Sequence, residues 1–137
     1  MGKVEKTESF TELRIIPHEK GDIYHGLKAS EQSFAGFGEA YFTHINQGET
    51  KGWKKHLEMT MNLIVPLGDV SFHIYDTIND KRRTYRINSK NYGRLTVPPG
   101  LWVAFEGHGS LNLILNIASI EHSPCEAETA PLDQFLV

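Results

Sequence analysis

A chain of 137 residues can build one core but is too short for two typical domains, and its 39% apolar and 23% charged residues are globular proportions. Seven Phe, five Tyr and two Trp can bury enough area to offset chain entropy, which argues against disorder. The net charge of −3 lacks the basic surplus of a nucleic-acid protein, and Cys125 alone allows no internal disulfide. No apolar run approaches the ~20 residues of a bilayer span and the first twelve residues hold no signal-like stretch, so the expected location is the cytoplasm, with no membrane partner.

Residues 1–12 read as a flexible lead-in. From Leu13 short apolar runs alternate with Gly, Pro, Asn and Asp clusters. Leu13–Ile16 stops at Pro17, and Gly21 and Gly26 flank Ile23-Tyr24-His25. Ser30–Phe34 reads as a short turn. Ala40–Ile45 is rich in strand formers and ends at Asn46-Gln47-Gly48. Met59–Val65 is closed by Pro66-Leu67-Gly68, and Val70–Tyr75 alternates as a half-buried strand does. Thr77–Lys81 reads as a hairpin turn with Arg83–Ile87 as the return strand. Arg94–Val97 and Leu101–Phe105 flank Pro98-Pro99-Gly100, and Leu111–Ile117 is the last strong apolar run. Glu121–Glu128 is an acidic strap over the surface or toward a partner subunit, and Pro131–Leu136 is a candidate terminal helix. Regular short strands of this kind predict an all-β sandwich or closed barrel.

Two segments carry a more specific pattern. The first is Gly48-Glu49-Thr50-Lys51-Gly52-Trp53-Lys54-Lys55-His56, followed by a strand and Gly68. The second is Gly93-Arg94-Leu95-Thr96-Val97-Pro98-Pro99-Gly100-Leu101-Trp102-Val103. Together they resemble the two motifs of the cupin family, which implies a single-domain jelly-roll barrel (a double-stranded β-helix) over residues 13–120, with 121–137 as a C-terminal tail. Metal-binding cupins carry two His and a Glu in the first motif and a His in the second. Lys54 stands at the first His position, His56 matches the second, the Glu falls near Thr60 or Met61, and Val103 replaces the last His. The expected metal is therefore none, and no other cofactor is implied. His44, His73 and His108 leave open a metal site of another kind that uses His56.

Within cupins the chain is most similar, from about Ile16 to Asn116, to the dTDP-4-dehydrorhamnose 3,5-epimerases and the shorter dTDP-4-keto-6-deoxyglucose 3,4-ketoisomerases. Pro98-Pro99-Gly100-Leu101-Trp102 carries part of this likeness, as does Phe37-Gly38-Glu39-Ala40-Tyr41-Phe42-Thr43. The resemblance implies an isomerase or epimerase that moves a proton beside a ketone on a nucleotide-linked deoxysugar, without metal, for surface polysaccharide biosynthesis. It implies a homodimer and a nucleotide-sugar or other small-molecule ligand. The family's Arg-Gly-x-His reads Lys51-Gly52-Trp53-Lys54 here. Lys54 takes the base position, alone or with His56, and Lys51 faces phosphate. Counting from the motifs puts Met61, Phe72 and Val103 at pocket positions, and Trp53, Trp102 and Tyr41 at a mouth where rings stack on a base or sugar. The residues leave three readings open for Lys54 and His56: a catalytic pair, a ligand-binding pair without chemistry, or two exposed rim residues.

Overall fold

Turn residues cut this chain into strands of two to seven residues, and side-chain alternation decides which face of each is buried. The computed structural model describes residues 7–135. In chain order the strands are β1 (Ser9–Glu12), β2 (Ile15–Ile16), β3 (Ile23–Tyr24), β4 (Glu39–Ile45), β5 (Thr50–His56) and β6 (Met61–Leu67). They continue with β7 (Val70–Asp76), β8 (Lys81–Ile87), β9 (Gly93–Val97), β10 (Trp102–Gly107), β11 (Asn112–Ala118) and β12 (Ala127–Thr129), before a 3-10 turn at Leu132–Phe135. One antiparallel sheet has the order β1-β9-β6-β11-β4 and a second β12-β5-β10-β7-β8, while β2 and β3 form a small ribbon. This is the jelly-roll barrel of a cupin. Among the described residues no helix is long and apolar enough to cross a membrane.

The core fills the space between the two large sheets. Val70, Phe72 and Ile74 of β7 point into it with Ile87 of β8, Leu95 and Val97 of β9 and Ile114 of β11. Burying each such side chain contributes about 1.5–3 kcal/mol. Ser71, His73 and Tyr75, the alternate residues of β7, take the outer face. The turn after β7 is set by Asp76, whose Oδ1 accepts from the backbone N–H of Ile78 at 3.1 Å and Asn79 at 3.2 Å. Asp76 thus starts the hairpin, as a turn aspartate does. Gly68 closes β6 at φ 108°, where a Cβ would lie 2.4 Å from the Leu111 carbonyl oxygen.

The ends of the chain depart from expectation. Of the lead-in over residues 1–12, residues 1–6 lie outside the described residues, and Ser9–Glu12 forms β1 and pairs with β9 in the barrel. The tail over 121–137 is also part of the barrel: β12 pairs with β5, matching Ala127 to His56 and Thr129 to Lys54. Its last two residues lie outside the described ones. The terminal helix is a single 3-10 turn. Thr50–His56, read from the sequence as a motif, is a full strand.

The two edges of the barrel differ. On one, Glu8 accepts hydrogen bonds from Arg83, at 2.8 Å from Nη2 to Oε1, and from the Tyr85 hydroxyl at 2.9 Å. The Phe10 ring stacks on Tyr85 with centroids 6.4 Å apart, so β1 and β8 are clasped. On the other edge, where β4 and β12 end their sheets, the space between the sheets stays open as a cavity.

The clasp has a pH signature. Burial pushes the Glu8 carboxyl toward its neutral form, but the bonds from Arg83 and Tyr85 outweigh this and hold it below its ordinary value of 4.5. A carboxyl depressed on folding adds stability above its unfolded value, and that stability is lost as pH falls through the folded value. Glu8→Gln is expected to melt below the wild type at pH 7, with the gap closing as pH falls under about 4. Thermal melts at pH 7 and pH 3 check this, and an equal gap at both would contradict it.

Candidate active site

The open edge holds a cavity of about 380 Å³. Tyr41 and Thr43 of β4, Met61 and Leu63 of β6 and Ile114 and Asn116 of β11 line it from the first sheet. Lys51, Lys54 and His56 of β5, Val103 and Phe105 of β10 and the segment Thr129-Ala130 line it from the second. Strand β5 can run this close to β10 because residue 52 is glycine: at φ 147° a Cβ there would lie 2.5 Å from the Ala104 Cβ.

His56 is the buried titratable group of β5, 5% exposed, and it meets Glu126, 3% exposed. The His56 Nδ1 to Glu126 Oε1 distance is 2.7 Å. Glu126 Oε2 accepts from the backbone N–H of Met59 at 2.9 Å and Glu58 at 3.1 Å. Burial pushes the Glu126 carboxyl up, yet the bonds from His56, Met59 and Glu58 prevail and hold it below the ordinary carboxylate range. An ionised Glu126 only accepts, so His56 Nδ1 carries a hydrogen, and whenever the ring is neutral its lone pair lies on Nε2. A neutral imidazole oriented by a carboxylate in a sheltered cavity is a competent general base.

Lys54 shares the face of His56 but is exposed at the mouth. The burial that would strip its ammonium of water is missing, so the geometry removes the ground on which the base role was expected of it. Lys51, also exposed at the mouth, donates from Nζ to the His44 carbonyl oxygen at 3.2 Å. Met61 and Val103 line the cavity as expected of pocket residues.

Two other expected positions, Phe72 and Trp102, lie away from the cavity. Phe72 is fully buried in the core, 6.1 Å from the Phe105 ring, and does not line the cavity. The Trp53 and Trp102 rings belong to a separate outer cluster with Tyr75 and Phe135. The Trp53 Nε1 donates to the Leu132 carbonyl oxygen at 3.0 Å, and Phe135 packs on both indoles at 5.7 and 5.1 Å. These indoles seat the C-terminal turn; of the three expected mouth aromatics Tyr41 and Trp53 line the cavity and Trp102 does not. His73 bonds Thr84 and Glu106, and His108 bonds Ser71, so these histidines do not join His56. Among the described residues no three His, Cys, Asp or Glu side chains gather as a metal site.

Glu126 and Asn116 were not singled out from the sequence. Asn116 had a signal, since Asn112, Ile114 and Asn116 alternate and so share one face of the last apolar run. Glu126 had none that separates it from the acidic residues around it.

No family model matches the chain, and neither does any curated protein. Solved structures do match. A dTDP-sugar isomerase from Desulfovibrio desulfuricans G20 is 31% identical, with a TM-score of 0.88 over 93% of this chain and 85% of that one. A sugar 3,4-ketoisomerase from Thermoanaerobacterium thermosaccharolyticum, solved with TDP, shares the fold at 15% identity and TM-score 0.77, over 89% and 87% of the two chains. A dTDP-4-dehydrorhamnose 3,5-epimerase from Sulfolobus tokodaii does so at 14% identity and TM-score 0.85, over 99% and 84%.

The placement of Phe72 can be checked by stability alone. Phe72→Ala empties a core site rather than a pocket wall, and is expected to lower unfolding free energy by about 3–5 kcal/mol in urea titration. A loss under about 1 kcal/mol would return Phe72 to the cavity.

Proposed function

The chain belongs to the dTDP-sugar isomerase family, and from that premise we propose that it is a metal-independent epimerase or keto-isomerase of a nucleotide-linked deoxysugar. The observation that carries this reading is the His56–Glu126 bond, with His56 on the wall of the cavity at the open edge. His56 Nε2 takes the proton from the carbon beside the sugar ketone. The C–H electron pair becomes a C=C bond, and the carbonyl π pair moves onto oxygen as an enolate. Delivery of a solvent proton to the same carbon from the other face, as the enolate collapses back to the C=O, inverts that carbon. Where that carbon bears a hydroxyl, passage of the hydroxyl proton to the enolate oxygen forms the new C=O, and return of the proton from His56 to the former carbonyl carbon completes the move of the ketone. Glu126 holds the ring and balances the imidazolium between these steps.

Lys51 and Lys54 serve the diphosphate at the mouth as point charges. The family supports this class of ligand. The T. thermosaccharolyticum ketoisomerase was solved with TDP, and a His-to-Asn variant of it with TDP-4-keto-6-deoxyglucose. Supply of deoxysugars to surface polysaccharide in the cytoplasm belongs to the same proposal. So does a homodimer, favoured by Phe42, which is 63% exposed beside Leu115 on the outer face of the first sheet.

Solvent exchange tests the base. In deuterated water with a dTDP-4-keto-6-deoxy sugar, the wild type should wash deuterium into the carbon beside the ketone. His56→Asn should slow this about 10²–10⁴-fold, while Lys54→Met should keep it within about tenfold and mainly weaken binding. Collapse in Lys54→Met with exchange intact in His56→Asn would reverse the assignment.

Light scattering and elemental analysis of one preparation test the rest. The expected result is twice the 15.5 kDa chain mass and no stoichiometric transition metal. A monomer would remove the dimer, and one metal ion per chain would remove the metal-independent mechanism.

A further inference from the structure

The strands that wall the cavity are not equally held. β6, β10 and β11 are each paired on both sides within their sheets. Thr129 and Ala130 belong instead to an edge segment, the three-residue β12 and the 3-10 turn after it. Of the described residues from 121 onward Glu126 alone is buried, and residues 121–125 before it are exposed. A segment that buries so little apolar surface opens locally at small cost.

Two sets of contacts hold it down. At one end the Glu126 carbonyl accepts from the Leu57 N–H at 2.8 Å, and its carboxylate accepts from His56. At the other, the Phe135 ring rests 4.9 Å from Tyr75, 5.1 Å from Trp102 and 5.7 Å from Trp53. Between them Trp53 and Ala130 exchange two backbone hydrogen bonds of 3.0 Å. Trp53 faces both ways, lining the cavity and carrying Phe135.

A ligand against Thr129 and Ala130 meets that wall only while the segment is docked, so it binds the docked form more tightly and draws the segment down. Undocking also takes Glu126 away from His56 Nδ1. We propose that residues 126–135 are a strap that closes on the ligand and in closing sets Glu126 behind His56, with Phe135 as the positioning residue that latches it. This rests on the nucleotide-sugar reading for the identity of the ligand.

The test is amide hydrogen exchange of the whole chain, alone and with a dTDP-4-keto-6-deoxy sugar, brought to equilibrium, at about 100 times its calorimetric Kd. In the free protein the N–H groups of Trp53, Leu57 and Ala130 should exchange at least tenfold faster than those of the β7–β8 ladder. The sugar should slow these three about 100-fold, the factor for a ligand that binds only the docked form. Phe135→Ala should speed them about tenfold in the free protein without changing the β7–β8 ladder, and Phe135→Tyr should restore the wild-type rates. Equal free rates in strap and ladder would mean that the segment opens only with the whole barrel, and would overturn the strap. Binding heat without slowing at the three N–H groups would overturn closure on the ligand and leave the nucleotide-sugar reading standing. Unchanged rates in Phe135→Ala would overturn the latch. No binding heat would remove the nucleotide-sugar reading, and this inference with it. The wild-type comparisons need no substitution, so they decide the matter even where Phe135→Ala fails to fold.

Discussion

A carboxylate buried at the open edge of a barrel stays ionised only when its lone pairs are answered, and Glu126 has His56 on one oxygen and two backbone N–H groups on the other. Much of the cavity follows from that arrangement. It fixes the chain at residue 126, so the next three residues fall into register on β5 and Thr129-Ala130 become wall. The chain then crosses to the outer face, where Phe135 settles on Trp53 and Trp102. A segment with no strong apolar run of its own is thus held by one carboxylate and one ring. The same carboxylate accepts from His56 Nδ1, so the bond that anchors the segment also orients the imidazole.

The opposite edge explains why the cavity lies where it does. Two sheets packed face to face leave two open sides. Glu8, Arg83 and the Phe10–Tyr85 stack close one of them, and Val70, Phe72, Ile74 and Ile87 fill the space between. What remains unfilled lies between β4 and β12. Large side chains near the clasp and smaller or polar ones near the opening, Thr43, Asn116 and Thr129 among them, shape a barrel plugged at one side and hollow at the other.

The sequence showed the strands wherever apolar residues alternate between turn signals, as in Val70–Tyr75 and Arg83–Ile87, and the motif glycines and prolines located the barrel. It hid the strands whose edges are polar. β5 carries three lysines because one of its faces opens on the mouth and the other on solvent, and β12 lies in an acidic stretch whose one buried member looks like its neighbours. Counting along the motifs found Met61 and Val103 but misplaced Phe72, since a count gives the strand and the face but not where along the barrel the plug ends. Trp53 and Trp102 look like stacking platforms in the sequence, and they are platforms, but for Phe135 of the same chain.

Polarity along the cavity is graded in a way that bears on how a substrate lies in it. Lys51 and Lys54 are exposed at the mouth, while His56 and Asn116 are 5% and 2% exposed. Ammonium groups kept in water cost little, and deep groups that bear full charge must be paired, as Glu126 is. A nucleoside diphosphate sugar has the same gradient, with its charges in the diphosphate and none in the sugar. In the proposed function, with the diphosphate between the lysines, the sugar lies inward, where burial sharpens hydrogen bonds and His56 is shielded from bulk water. Under the proposed function, a lysine at residue 54 in place of histidine costs the enzyme no base. There it puts a cation where the ligand is anionic, and leaves the proton to the residue two positions on, which shares that face and has a carboxylate behind it.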